Sequence, residues 1–145
     1  MERVPIFPIP GHGEYMRQPL YSRDFCRALL VVAERQPEGQ SWDLTGPDEI
    51  TYIDIIRAIR DTKQSRTRVV RIPYTVFDVL LRTYALFSNK PPFTSDQLAA
   101  LVAGDMFEGV DIEETFGFAP TPFRQALDET LNHPRYSQIV LESPH

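Results

Sequence analysis

The stretch RQPLYSRDFCRALLVVAER, from Arg17 to Arg35, carries the pattern that decides the fold. Ser22 is a residue type that caps helices, and apolar residues follow it at helical spacing: Phe25, Leu29, Val32 and Ala33. The pattern predicts a helix from Arg23 to Arg35. Because Leu30 and Val31 widen the apolar stripe, we expect this helix to be covered on more than one side.

The segment before this helix is predicted to be extended. Residues 4–10 are apolar or proline, Gly11-His12-Gly13 is a turn signal, and residues 14–20 can run back as a second strand. This pattern predicts a loose hairpin. Three prolines in the first arm remove ladder donors, so the arm should lie at an edge rather than in the centre of a sheet.

Short strands and helices alternate after the first helix. Strands are predicted at Ser41–Thr45 and Arg68–Ile72. Helices are predicted from a cap at Thr51 to near Lys63, over Tyr74–Phe87, around Leu98–Val102, over Asp111–Phe116, and after a cap at Thr121. The fold class is therefore α+β, with several helices and a few short strands. We divide the chain into an extended arm or hairpin (1–21), a helical domain (22–133) and a loosely held tail (134–145).

Composition restricts the classes of protein to which the chain can belong. Its 145 residues suit one domain, and 42% hydrophobic with 24% charged residues is typical of a globular core. The net charge of −5 argues against nucleic acid and anionic membranes as partners, and no apolar run reaches the roughly 20 residues that span a bilayer. The single cysteine, Cys26, precludes an internal disulfide and predicts a reducing, cytoplasmic setting.

Several motifs occur together in a fixed order along the chain. They are the run from Arg17 to Leu29, Asp43-Leu44-Thr45-Gly46-Pro47, the helix start at Thr51, Val69-Val70-Arg71-Ile72-Pro73, and Phe116-Gly117-Phe118-Ala119-Pro120 with Thr121-Pro122-Phe123. In this order they resemble the C-terminal, substrate-binding part of the extended and atypical short-chain dehydrogenases/reductases, which include NAD(P)-dependent epimerases and dehydratases. Gly11-His12-Gly13 stands where that family has a Gly-Asp-Gly-like turn.

The resemblance implies a site residue. Arg17 matches an arginine that contacts the substrate diphosphate in sugar-nucleotide epimerases, and a guanidinium fork suits that task. An arginine in a hairpin can equally pair with a carboxylate such as Glu14, so both roles stay open. Tyr21 and Asp24 match positions that look architectural in the family. A second diphosphate-binding arginine has no clear match, which leaves the substrate class open.

The catalytic and cofactor motifs of the family have no counterpart in this sequence. Gly11 and Gly13 begin a dinucleotide-binding pattern, but Met16 occupies the third glycine position, so a turn is the better interpretation. The tyrosine of the Tyr/Lys pair should precede its lysine by four residues, yet Ile59 and Leu86 stand there. The histidines lack partners at metal-ligand spacing, and Ser22 lacks a triad and is better explained as a helix cap. The basic run from Lys63 to Arg71 could take a phosphate but is more typical of a solvated strand edge.

We therefore expect the substrate-binding portion of an NAD(P)-dependent epimerase, dehydratase or reductase. By itself it should have no catalytic residue, bind no cofactor or metal, and contact a nucleotide-sugar or another small molecule through Arg17. Its partner would be the N-terminal Rossmann half that carries NAD or NADP, or a second copy that covers the apolar helices. The alternative is a stand-alone interaction or regulatory module that kept the scaffold without catalysis.

Overall fold

In a computed structural model the chain is described over residues 5–36, 38–87, 95–103 and 106–135. The strands are β1 (Ile6–Pro10), β2 (Met16–Arg17), β3 (Ile50–Thr51) and β4 (Arg68–Ile72). The helices are α1 (Ser22–Arg35), α2 (Tyr52–Thr62), α3 (Tyr74–Phe87), α4 (Ser95–Ala103), α5 (Ile112–Phe116) and α6 (Phe123–Asn132). Several helices with a few short strands confirm the predicted α+β class. Within the described ranges, no helix is both long enough and apolar enough to cross a membrane.

The chain folds into two compact units. Unit 1 is Met1–Arg17 with Thr51–Asp105, and unit 2 is Gln18–Ile50 with Met106–His145. Each unit has an apolar cluster of its own. That of unit 1 is formed by Ile9, Ile53 and Ile56, and that of unit 2 by Ala28, Ile112, Phe116 and Phe118. The predicted division at 21/22 and 133/134 stays a prediction.

Parallel pairing replaces the predicted hairpin. β1 pairs with β4 in parallel, with Ile9 opposite Arg71, while β2 pairs with β3. Arg68 donates its amide to the Pro5 carbonyl at 2.9 Å, and Gly11 donates to the Ile72 carbonyl at 2.7 Å, so the odd-numbered residues of the first arm face β4. Because hydrogen-bonding direction alternates along a strand, the prolines at even positions 8 and 10 lie on the outer edge, where no ladder donor is lost.

Helix capping follows the prediction at one position and departs from it at two. Thr51 accepts a hydrogen bond from the Asp54 amide and begins α2, as predicted. Ser22 is instead the first residue of α1, after a Tyr21 N-cap that makes no side-chain bond. The prediction of a Thr121 cap is also wrong, because its hydroxyl donates to Asp24 at 3.1 Å and α6 begins at Phe123.

The strand predicted at Ser41–Thr45 is absent from both sheets. Trp42 and Leu44 pack on the apolar cluster of unit 2, which accounts for the alternating pattern. Val110 donates its amide to the Asp43 carbonyl at 2.9 Å, but no ladder follows. The alternation of apolar and polar residues therefore reflects a half-buried loop, and the predicted strand is wrong. Of the predicted tail, residues 136–145 lie outside the described residues.

Candidate functional site

Arg17 lies in β2 of unit 1, where its guanidinium contacts main-chain carbonyls. Nη1 donates to the Met16 carbonyl at 3.2 Å, and Nη2 donates to Leu101 and, at 3.5 Å, to Ala100. The last two carbonyls belong to the C-terminal turn of α4, where carbonyls have no partner inside the helix and the helix dipole favours a cation. Arg17 thus caps the C-terminal end of α4 from another part of the chain.

Two tyrosines accompany Arg17. The rings of Tyr15 and Tyr52 stack with centroids 5.1 Å apart, and the Arg17 guanidinium carbon lies 5.6 Å from the centroid of the Tyr15 ring. The pKa of Tyr15 is raised from 10.0 to about 12, chiefly because burial disfavours the phenolate; Tyr52 contributes to the rise and the positive charge of Arg17 opposes it. Burial likewise raises the pKa of Tyr52, again opposed by Arg17. Both phenols are therefore neutral near pH 7.

Main-chain contacts of the Gly11–Gly13 turn fix the position of this aromatic pair. Tyr52 donates its amide to the Tyr15 carbonyl at 3.0 Å, and Ile53 donates to the Gly13 carbonyl at 2.9 Å. Gly13 has a φ of +72°, and a Cβ on it would lie 2.8 Å from Ile9 Cγ2 and 3.1 Å from Ile53 Cβ. A glycine is therefore required at this point for dense packing as well as for its backbone conformation.

These residues do not fit a dinucleotide-binding turn. The amides of Tyr52 and Ile53 at the start of α2 already donate to the chain's own carbonyls, so they are not directed at a pyrophosphate. The space that Gly13 leaves is filled by two isoleucines, and Met16 lies in β2 rather than at a helix start. No step of cofactor chemistry is therefore assigned to this turn.

Glu14 and three arginines of the basic run are exposed. The carboxylate of Glu14, the alternative partner considered for Arg17, lies 3.9 Å from the guanidinium of Arg71. Within the basic run, Arg66, Arg68 and Arg71 are exposed. Within the described ranges, no three His, Cys, Asp or Glu side chains are placed to hold a metal ion.

A buried carboxylate connects distant segments of unit 2. Asp24 is 2% exposed and accepts hydrogen bonds from the amide and hydroxyl of Thr121, at 2.6 and 3.1 Å. Asp48 accepts from the Phe123 amide at 2.6 Å and so caps α6 from outside its own sequence. The resemblance implies an architectural role for Asp24, and these contacts are architectural. Sequence reasoning did not find the pairing because partners 97 residues apart leave no local signal.

Comparison with solved structures supports the predicted fold. A dTDP-glucose 4,6-dehydratase from Bacillus anthracis, solved in complex with NAD, matches 91% of this chain with a TM-score of 0.56 at 16% sequence identity. The match covers 34% of the dehydratase chain. The chain therefore has the fold of a part of an extended short-chain dehydrogenase/reductase.

Sequence comparisons point to the same broad family. A dTDP-glucose 4,6-dehydratase from Escherichia coli is 33% identical over 54 residues, which are 37% of this chain. An NADH dehydrogenase [ubiquinone] 1 alpha subcomplex subunit 9 from Arabidopsis thaliana is 23% identical over 95 residues, or 64% of this chain. The matches span about 15% and 24% of those two relatives. No family model matches the chain. Together these similarities support kinship with short-chain dehydrogenases/reductases at a coarse level.

Proposed function

We propose that this chain is the C-terminal, substrate-binding portion of an NAD(P)-dependent epimerase, dehydratase or reductase, and that it is not catalytic by itself. The observation that carries the proposal is the structural match, which covers nearly all of this chain but only a third of a dehydratase solved with NAD. In this proposal NAD or NADP is held by a separate Rossmann half, and the setting is cytoplasmic.

Arg17 is the proposed contact for the substrate, a nucleotide-sugar or a related anion. Its guanidinium offers the paired donors that recognise phosphate oxygens, and a neutral, half-buried tyrosine pair lies beside it. Stacked aromatic rings next to a cation provide an apolar surface and a charge at one place. Such a combination suits a ligand that has both a flat ring and a phosphate.

Solvent-exposed apolar side chains on α1 support the proposal that another protein layer covers unit 2. On α1, Phe25 is 45% exposed, Leu29 52% and Leu30 64%, although Ala28 of the same helix is buried at 2%. A helix that is apolar on two faces is expected where two layers cover it. We propose that the second layer is the Rossmann half, or a second copy of the chain in its absence.

Binding of dTDP-glucose to the purified chain tests the proposed site. We expect saturable binding by titration calorimetry that falls at least ten-fold in Arg17→Ala, because one or two charge-assisted hydrogen bonds are lost. Arg57→Ala is the matched control, since Arg57 is 47% exposed and pairs with Asp54 on the surface of the same unit. Equal binding by both variants would contradict the role of Arg17.

A second candidate is a non-catalytic interaction module. It is favoured by the similarity to a subunit of an NADH dehydrogenase, which spans more of this chain than the dehydratase alignment does. The two candidates predict different coding sequences upstream of Met1 and different ligands. A strand, a glycine-rich turn and a Tyr/Lys pair encoded upstream of Met1 would favour the enzyme, whereas a partner protein bound with unchanged affinity by Arg17→Ala would favour the module.

A further inference from the structure

Arg17 connects the proposed anion site with the C-terminal turn of α4. Its Nη2 atom donates to the carbonyls of Ala100 and Leu101, so the group proposed to bind an anion also holds the C-terminal turn of α4. Those two carbonyls and a ligand phosphate are acceptors that compete for one guanidinium face. An anion that takes the fork in two places weakens the contacts to α4.

We propose that binding of a phosphate-bearing ligand at Arg17 releases the C-terminal turn of α4, so that this turn acts as an internal competitor for the site. The inference deepens the proposed function and rests on Arg17 being the anion contact. Arg17 would then bind either the anion or the carbonyls of α4, so the order of this turn would depend on whether the site is occupied.

The release is confined to one turn because α4 is anchored elsewhere. Leu98 is fully buried, which keeps the middle of the helix in place whatever Arg17 does. The last carbonyls of a helix have no partner within it, so loss of an external donor frees that turn first. Backbone loosening is therefore expected at residues 100–103 rather than along the whole of α4.

Reciprocity gives the coupling a second consequence. If an anion weakens the C-terminal turn of α4, then a change that weakens the turn should strengthen anion binding, because the anion then has less stability of α4 to overcome. Ala99 is exposed in the middle of α4, and Ala99→Gly lowers helix propensity without touching Arg17. A few-fold tighter binding of inorganic diphosphate and of dTDP-glucose is expected in this variant.

Hydrogen exchange with and without ligand tests the proposal. We expect inorganic diphosphate or dTDP-glucose to speed amide exchange at residues 100–103 by about five- to ten-fold, and Arg17→Ala to do the same without ligand. The amides of α2 serve as the internal reference. Arg17→Lys keeps the positive charge but not the planar fork of donors. Amide exchange at residues 100–103 should therefore be slower in this variant than in Arg17→Ala. The variant should also bind the anion more weakly than the unmodified chain does.

The outcomes separate this inference from the proposed function. Saturable dTDP-glucose binding with unchanged exchange in α4 would overturn the coupling and leave the substrate site standing. Lack of binding by the unmodified chain would overturn both. If Ala99→Gly binds inorganic diphosphate no more tightly than the unmodified chain does, the reciprocal prediction fails and the competition is refuted.

Discussion

At the scale of single residues, a buried polar group in each unit differs in whether it has hydrogen-bond partners. In unit 2 the carboxylate of Asp24 is matched by two donors from Thr121. In unit 1, within the described ranges, the Tyr15 hydroxyl is buried and has no hydrogen-bond partner. The first group stabilises its unit because its hydrogen bonds are made, whereas the second carries a desolvation cost.

Replacing Asp24 should be expensive. Asp24→Ala removes the acceptor of two hydrogen bonds and leaves the partly buried Thr121 amide without this partner, so we expect a loss of about 2–4 kcal/mol in the free energy of unfolding. Urea denaturation measures it. Asp61→Ala, which removes a carboxylate 63% exposed, should change stability by less than about 0.5 kcal/mol. Equal losses in the two variants would show that the Asp24 contacts do not stabilise unit 2.

Tyr15 should respond in the opposite way to a conservative change. Tyr15→Phe removes a hydroxyl without a partner and keeps the stacked ring, so stability at pH 7 should stay equal or rise slightly. Tyr15→Ala is the contrast, and it should cost about 2–4 kcal/mol through lost packing. A clear loss of stability in Tyr15→Phe would mean that the hydroxyl makes a bond in solution.

The pH dependence of stability follows from the same residue. Folding raises the pKa of Tyr15 from 10.0 to about 12 because burial disfavours the phenolate. An acid with a raised pKa stabilises the folded chain fully below pH 10, and this contribution is lost as the pH rises towards 12. Stability should therefore fall between pH 10 and 12, and less steeply in Tyr15→Phe. Identical slopes for the two proteins would contradict the shift.

At the scale of elements, the glycine turn before β2 decides how β1 meets α2. Gly11 and Gly13 both have positive φ, but a Cβ on Gly11 meets only open space while one on Gly13 meets Ile9 and Ile53. We expect Gly11→Ala to cost about 1 kcal/mol and Gly13→Ala about 2–4 kcal/mol, since the second adds a steric clash to the same backbone strain. Thermal unfolding compares them, and equal melting temperatures would refute the packing role of Gly13.

The sequence predicted the helices and strands better than the long-range contacts between them. The helices from α1 to α6 and the strand β4 were found because periodicity and caps such as Thr51 are local signals. The pairing of β1 with β4, the Asp48 cap of α6, and the contacts of Arg17 with α4 all join residues far apart in the chain. Arg17 itself came from a family resemblance. No local pattern could have placed it at a helix terminus.

At the scale of the whole molecule, we propose that this chain binds the substrate and that a separate part of the enzyme binds the nucleotide. The described residues place the Arg17 guanidinium beside two stacked tyrosine rings, and in the proposal this guanidinium holds the anion. The Gly11–Gly13 turn and the start of α2 do not fit a pyrophosphate. The proposed chemistry therefore depends on NAD or NADP held elsewhere.

Direct titration of the purified chain Met1–His145 with NADH and NADPH, followed by cofactor fluorescence, tests this central claim. We expect no saturable binding of either nucleotide by a chain that circular dichroism shows to be folded and that binds dTDP-glucose in a parallel titration. Saturable binding of NADH or NADPH at micromolar concentration would contradict it, because the chain would then hold its own cofactor.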